Sequence, residues 1–274
     1  MKTLSRRVLL GGALAGAALL LGPSWAGAAP EAAPASEATA APAPGTPGFP
    51  KYVMDTIDDM HRGASSHGII EMKVKTEHWS RTMEMESWSR GEDYSLIRIL
   101  APKKERGSAT LKANDDLFSY LNKTGRTIKI AGAMMGSSWM GSHLNNNDLV
   151  RSSRVADDYD LTLTGKGTLE GVPHYVLLAT AKADAAVVWG KIEVAVRQED
   201  LLPTRQIFFD EDGRAIRLIE FLDYRMVGDR KIAGQMLIRP LDGTDEFTQM
   251  TFKKMEYDVD IPTSVFTLQH LKSL

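Results

Sequence analysis

From Ile69 to Tyr257 this chain alternates apolar and polar residues with a period of two. Ile70, Met72 and Val74 face one way, and Glu71, Lys73 and Lys75 the other. Met83 and Met85 oppose Glu84 and Glu86 in the same manner. Successive side chains of a strand point to opposite faces, so this alternation predicts strands with one face buried. It recurs over 69–76, 82–88, 93–101, 107–113, 116–121, 126–131, 158–168, 173–182, 189–198, 204–210, 214–227, 231–240 and 246–259. Turn signals such as Asn122-Lys123-Thr124-Gly125, Glu170-Gly171, Asp212-Gly213 and Asp242-Gly243 separate many of the segments. Many strands joined by short turns make an antiparallel meander, in a barrel or a strongly curved sheet. Helix is sparse. Residues 51–62 place Val53, Ile57 and Met60 on one stripe, ended by Gly63. Weaker helical signals lie at 145–153 and as a turn at 263–271.

The amino terminus predicts export. Lys2, Arg6 and Arg7 precede an uncharged apolar run from Val8 to Leu21, then Pro23 and Ala26-Gly27-Ala28. That is a signal peptide over 1–28, and its run is short of the ~20 residues a membrane span needs. The paired arginines favour the folded-export (Tat) route, with an ordinary Sec signal as the alternative. Residues 29–48, rich in Ala and Pro, read as a disordered linker. One domain is expected over 49–274.

The chain has no cysteine, so disulfides, thiolate chemistry and a lipobox are all excluded. Its net charge of −2 becomes −5 once Lys2, Arg6 and Arg7 leave with the signal peptide. That argues against nucleic acid as a partner. None of the six histidines forms an HExxH or another helical metal-ligand pair, so no metal or other cofactor is expected. Ser65-Ser66-His67 reads as a turn at a helix end, because a catalytic triad is a geometry and not an adjacency. Asp210-Glu211-Asp212-Gly213 reads as a hairpin turn and lacks a calcium loop's ligands. Gly165-Lys166-Gly167 lacks the spacing of a phosphate loop. An enzyme is therefore not expected.

Methionine is the unusual residue, with 13 in the chain. Its unbranched, polarizable side chain suits surfaces that must accept variable apolar shapes. Met72, Met83 and Met85 fall on the apolar strand face, while Met134, Met135, Trp139 and Met140 cluster in a Gly/Ser-rich stretch, MMGSSWMGSHLNNNDLV.

Three segments, HRGASSHGIIEMKVKTEHWSRTMEMESWSRG, YSLIRILAPKKERGSATLK and RTIKIAGAMMGSSWMGSHLNNNDLVR with the DDYDLTL that follows, resemble the outer membrane lipoprotein-sorting protein family of the LolA-like superfamily. The resemblance runs from about Tyr52 to the carboxyl terminus. The chain departs from the family pattern at Leu144-Asn145-Asn146-Asn147-Asp148, where Phe-Thr-Asn-Asp-Asp is usual, and at Asn122, where proline is usual. The resemblance implies an α+β, mainly β fold: an incomplete antiparallel β-barrel of about eleven strands wrapped around a few plugging helices. It also implies an apolar half-barrel cavity, a periplasmic location and a carrier function for lipid or lipoprotein acyl chains. An RND-type inner-membrane transporter is the implied partner, and no catalytic residues are implied.

On that basis the stretch 134–150 is expected to be a lid. Gly136 and Gly141 would give it freedom, and Asn145 or Asn147 would cap a short helix after it. The rival expectation is a crossover packed into the core. The expected lipid-binding residues are Met72, Met83, Met85, Trp88, Met134, Met135, Trp139 and Met140. Trp79 and Trp189 are expected to be packing or rim residues. The expected function is a monomeric periplasmic carrier. The alternative is a non-transporting lipid-binding scaffold of an envelope exporter complex.

Overall fold

A computed structural model describes residues 41–151 and 155–273, so the signal peptide and most of the 29–48 linker lie outside the described residues. Thirteen antiparallel strands form one sheet in the order β6-β5-β4-β3-β2-β1-β13-β12-β11-β10-β9-β8-β7. They correspond one for one to the alternating segments of the sequence, and exceed the eleven implied by resemblance. The first meander is β1 (Ser65–Lys75), β2 (Ser80–Arg90), β3 (Tyr94–Ala101), β4 (Ala109–Ala113), β5 (Asp116–Leu121) and β6 (Arg126–Lys129). The second is β7 (Tyr159–Leu169), β8 (Val172–Ala181), β9 (Lys191–Arg197), β10 (Pro203–Phe209), β11 (Ala215–Val227), β12 (Arg230–Pro240) and β13 (Phe247–Tyr257). The seam between them joins the two ends of the domain, with Met72 of β1 opposite Met250 of β13.

The edges, β6 and β7, do not pair with each other, so the sheet is open and not a closed barrel. Strand spacing of ~4.8 Å would set these edges about 58 Å apart in a flat sheet. A single connection, residues 130–158, links them, and it touches both halves on its way. Trp139 in this connection donates its indole N–H to Thr110 of β4 at 3.1 Å, and Asp148 contacts Arg217 of β11 at 2.6 Å. The sheet must therefore curl around this crossover, as sheet twist promotes.

Helix α1 (Phe49–Arg62) joins the crossover on the same face. It buries Phe49, Val53, Met54 and Ile57, and Phe49 meets Tyr175 of β8 edge-on at 5.0 Å. The crossover carries α2 (Asn146–Arg151) and α3 (Val155–Asp158). Asn145 caps α2: its Oδ1 accepts from the Asp148 N–H at 2.8 Å, while Asp148 Oδ2 accepts from the Asn145 N–H at 2.7 Å. This reciprocal pair is a capping box built from Asn and Asp. The four-residue α3 has no periodicity to announce it and was not expected.

The main core fills the curled face, with Met72, Met83, Met85, Val194 and Ile238 fully buried. A second cluster of Leu96, Leu111, Ile261, Phe266 and Leu271 lies across β3–β4, where a 3-10 turn (Thr263–Phe266) and α4 (Leu268–Ser273) fold back. Ser65-Ser66-His67 is the start of β1 and not a helix-end turn; Ser66 and Ser89 share a 2.7 Å hydroxyl bond there.

Candidate functional site

Cross-strand pairing arranges the concave face in rows. Phe221 of β11 opposes Met236 of β12, Met236 opposes Met250 of β13, Met250 opposes Met72 of β1, and Met72 opposes Met83 of β2. Four methionines thus run side by side across four strands. The next row joins Phe252, Ile70, Met85 and Ile99. Side chains directly opposite on adjacent strands pack together, so each row is a continuous apolar band.

A cavity of about 310 Å³ opens where the second meander meets the helices. Its floor is Val194, Phe208, Ile219, Phe221, Met236 and Met250, from β9 to β13. Its cover is Met54, Ile57 and His61 of α1, Leu144 and Leu149 of the crossover, and Val155 of α3. The Phe221–Met236–Met250 end of the methionine row is exposed to the cavity, whereas Met72 and Met83 continue the row out of reach behind it.

One charged pair closes the wall. Arg217 is 4% exposed and grips Asp148, 13% exposed, with two nitrogens at 2.6 and 2.9 Å. Its guanidinium lies 4.1 Å from the ring centre of Phe208 and 4.5 Å from that of Trp189. Trp189 also donates its indole N–H to Asp148 at 3.3 Å. A planar, weakly hydrated guanidinium suits such stacking and bidentate pairing. The result is a latch between α2 and the floor.

At the other end stands His61. Its Nδ1 bonds the Ile57 carbonyl at 2.9 Å, so Nδ1 carries the proton. Its ring lies 5.7 Å from Phe221, and its Nε2 is buried without a hydrogen-bond partner. Burial pushes the imidazole below its ordinary pKa and favours the neutral form. Burial likewise pushes the Tyr257 hydroxyl up to about 12, and Tyr159, which bonds the Trp189 carbonyl at 3.0 Å, is raised by the same cause.

None of the eight expected lipid contacts borders this cavity. Met72, Met83, Met85 and Trp139 come together in the main core, with Met140 packed against it. Trp139 is buried, its indole N–H satisfied by Thr110, and its backbone N–H donates to the Leu144 carbonyl at 2.8 Å. Ser138 and Ser142 brace the same turn with side-chain bonds to Ser142 O and Trp139 O. Residues 138–145 are thus a braced, core-packed crossover, and the segment over the cavity is 144–149. Met134 is 49% exposed, and Met135 is half-buried outside the core cluster. Trp88 lies on the opposite face, stacked on His67 at 5.4 Å and packed against the second cluster. Its even number already groups it with Glu84 and Glu86. Trp189, expected at a rim, lines the cavity. His61, Asp148 and Arg217 were missed, although the Ile57–His61 spacing put His61 on the buried side of α1.

Thr248, His143 and Glu246 form a hydroxyl–imidazole–carboxylate chain at 2.9 and 3.1 Å, but Thr248 is fully buried. Among the described residues no group of three or more His, Asp or Glu is placed to hold a metal ion.

A family model described as "Uncharacterized protein" matches residues 91–273. A DUF1329 family protein from Desulfovibrio piger superposes with a TM-score of 0.72 at 23% identity, over 81% of this chain and 98% of that one. The chain belongs to this DUF1329-like family. An outer membrane lipoprotein-sorting protein domain from Vibrio parahaemolyticus gives 0.70 at 19% identity, over 80% and 97% of the two chains. A LolA superfamily protein from Nitrosomonas europaea gives 0.69 at 18%, over 81% and 98%. No curated protein matches. The chain therefore shares the fold of these three structures, an open antiparallel sheet with a few helices on its concave face.

Proposed function

We propose that this DUF1329-like protein is a non-catalytic periplasmic carrier that seats an acyl chain of a lipid or lipoprotein in the cavity under α1 and α2. The observation that carries this reading is the cavity itself: an apolar floor of aromatic, aliphatic and methionine side chains under a helical cover. Its volume is at the low end of the ~300–1,000 Å³ of small-molecule sites, which suits one chain. Met72 and Met83, behind Met250 in the same row, would let the floor deform around different chains, since methionine repacks at low cost. The signal peptide read from residues 1–28 accords with export, and no helix among the described residues is long and apolar enough to cross a membrane. Exchange with an RND-type inner-membrane transporter belongs to the same proposal. The names of the Vibrio and Nitrosomonas proteins agree with it.

The test is titration with a neutral apolar fluorophore, N-phenyl-1-naphthylamine, and with a fluorescent acyl probe. Both should bind saturably, and Met236→Glu should weaken both at least ~10-fold, since burying an unpaired carboxylate beside an apolar ligand costs more than 1.4 kcal/mol. No saturable binding of either probe to the folded protein would overturn the reading.

A further inference from the structure

The polar atoms of the cavity wall say what else the ligand carries, provided the acyl-chain reading of the cavity holds. Among the described residues every formal charge on the wall is already matched. Arg217 is occupied by Asp148, and Arg62 pairs with Asp58 at 3.1 Å. Tyr159 and Tyr257 hold their protons. A charged headgroup drawn into this enclosure would have no counter-ion and would lose its hydration.

Two polar atoms of the wall residues are buried without a partner: Nε of Arg217, on a guanidinium whose charge Asp148 already matches, and Nε2 of His61. His61 uses its proton on the Ile57 carbonyl, which leaves Nε2 as a bare acceptor, buried and facing no protein donor. The ring neighbours the aromatic ring of Phe221 and, on its own helix, Asp58 one turn before it and Arg62 directly after it, which pull its proton affinity in opposite directions. A buried acceptor without a donor is costly, and native proteins satisfy nearly all such groups. The group that would satisfy it is an O–H on the occupant. An amine would serve only in its neutral form.

We propose that the cavity selects an uncharged amphiphile, a lipid alcohol by class, whose hydroxyl group donates to His61 Nε2 while its hydrocarbon lies along the Phe221–Met236–Met250 row. His61 is then a specificity residue and not merely part of the helix's packing. Fatty-acid anions and cationic amphiphiles of the same chain length are disfavoured ligands.

The experiment is competitive displacement of 1,6-diphenyl-1,3,5-hexatriene, a hydrocarbon fluorophore with no hydrogen-bonding group, at pH 8 by 1-dodecanol, dodecanoate and dodecyltrimethylammonium, on the full mature chain. Dodecanol should displace the probe at a concentration at least ~10-fold lower than either ion. In His61→Phe, which removes the acceptor but keeps a ring, the affinity for dodecanol should fall about 3–10-fold more than the probe's own affinity does, the value of one hydrogen bond. His61→Gln, which keeps an acceptor, should retain part of the preference. Dodecanoate binding as well as dodecanol to the unaltered protein would overturn the proposal without any variant. Equal loss for dodecanol and for the probe in His61→Phe would do the same, by showing a packing role. If the probe itself fails to bind, the acyl-chain reading falls and the hydroxyl proposal with it; if the probe binds but shows no headgroup preference, only the hydroxyl proposal falls.

Discussion

Arg217 of β11 holds Asp148 of α2 through two nitrogens, at 2.6 and 2.9 Å, across a sequence separation of 69 residues. Asp148 also completes the capping box of α2 and accepts from the Trp189 indole. One carboxylate thus ties the crossover, the helix cap and the cavity floor together. Removing it strands a guanidinium in an apolar wall. Asp148→Ala should destabilise the fold by about 3–5 kcal/mol, the usual penalty for breaking a buried pair. The double replacement Asp148→Leu/Arg217→Met should recover much of that loss, because no buried charge is left unpaired. Urea melts of the single and double variants check this; equal destabilisation in both would contradict it.

Trp139 provides a second expectation. It is buried, and its indole N–H is spent on Thr110. Trp139→Glu should collapse the thermal transition, and Trp139→Phe should cost about 0.5–1.5 kcal/mol for the lost bond in addition to any packing loss. A mobile lid residue would instead tolerate glutamate with an unchanged melt.

The methionine row divides into two functional halves by burial. Met83→Ala, wholly inside the core, should cost about 2–5 kcal/mol of stability through the cavity it leaves. Met236→Leu, at the cavity surface, conserves volume and should cost less than ~1.5 kcal/mol. Paired melts and probe titrations should therefore show stability failing first at Met83 and binding altered first at Met236.

The His61 imidazole supplies a pH dependence. Burial lowers its pKa in the folded protein, whereas in the unfolded chain it titrates near ~6.5. Between the two values the unfolded chain binds the proton that the folded one refuses. Stability from this group is present above the unfolded pKa and is lost as pH falls below it. Urea midpoints at pH 7.5 and 5.0 should differ by less in His61→Phe than in the unaltered protein. An identical difference would show that His61 is not the group responsible.

The strands were legible because alternation is a local signal, and each segment of alternating residues became a strand. β1 nevertheless starts at Ser65, four residues before the apolar pattern begins, because Ser65–Gly68 is held by pairing with β2 and β13. Those partners are set by topology and leave no mark on the local sequence. The same limit hid the site. Met72 and Met83 were singled out by face alone, but which part of that face stays open depends on where α1 and the crossover lie. Met236 and Met250 join them only through register across the seam between the chain's two ends. His61, Asp148 and Arg217 are unremarkable as letters, and their chemistry comes from meeting across the fold. Trp88 is a different case: period-two counting alone sets it with Glu84 and Glu86, on the face away from the core.

The central claim is that the cavity under α1 and α2 carries lipid. Native mass spectrometry of the protein purified from its own envelope tests it most directly. The account predicts the mature chain with one added lipid mass, at near-stoichiometric occupancy, and loss of that mass in Met236→Glu while the variant still melts cooperatively, at the lower temperature that loss of a bound ligand entails. A bare protein mass from the same preparation, with the fold intact, would contradict it.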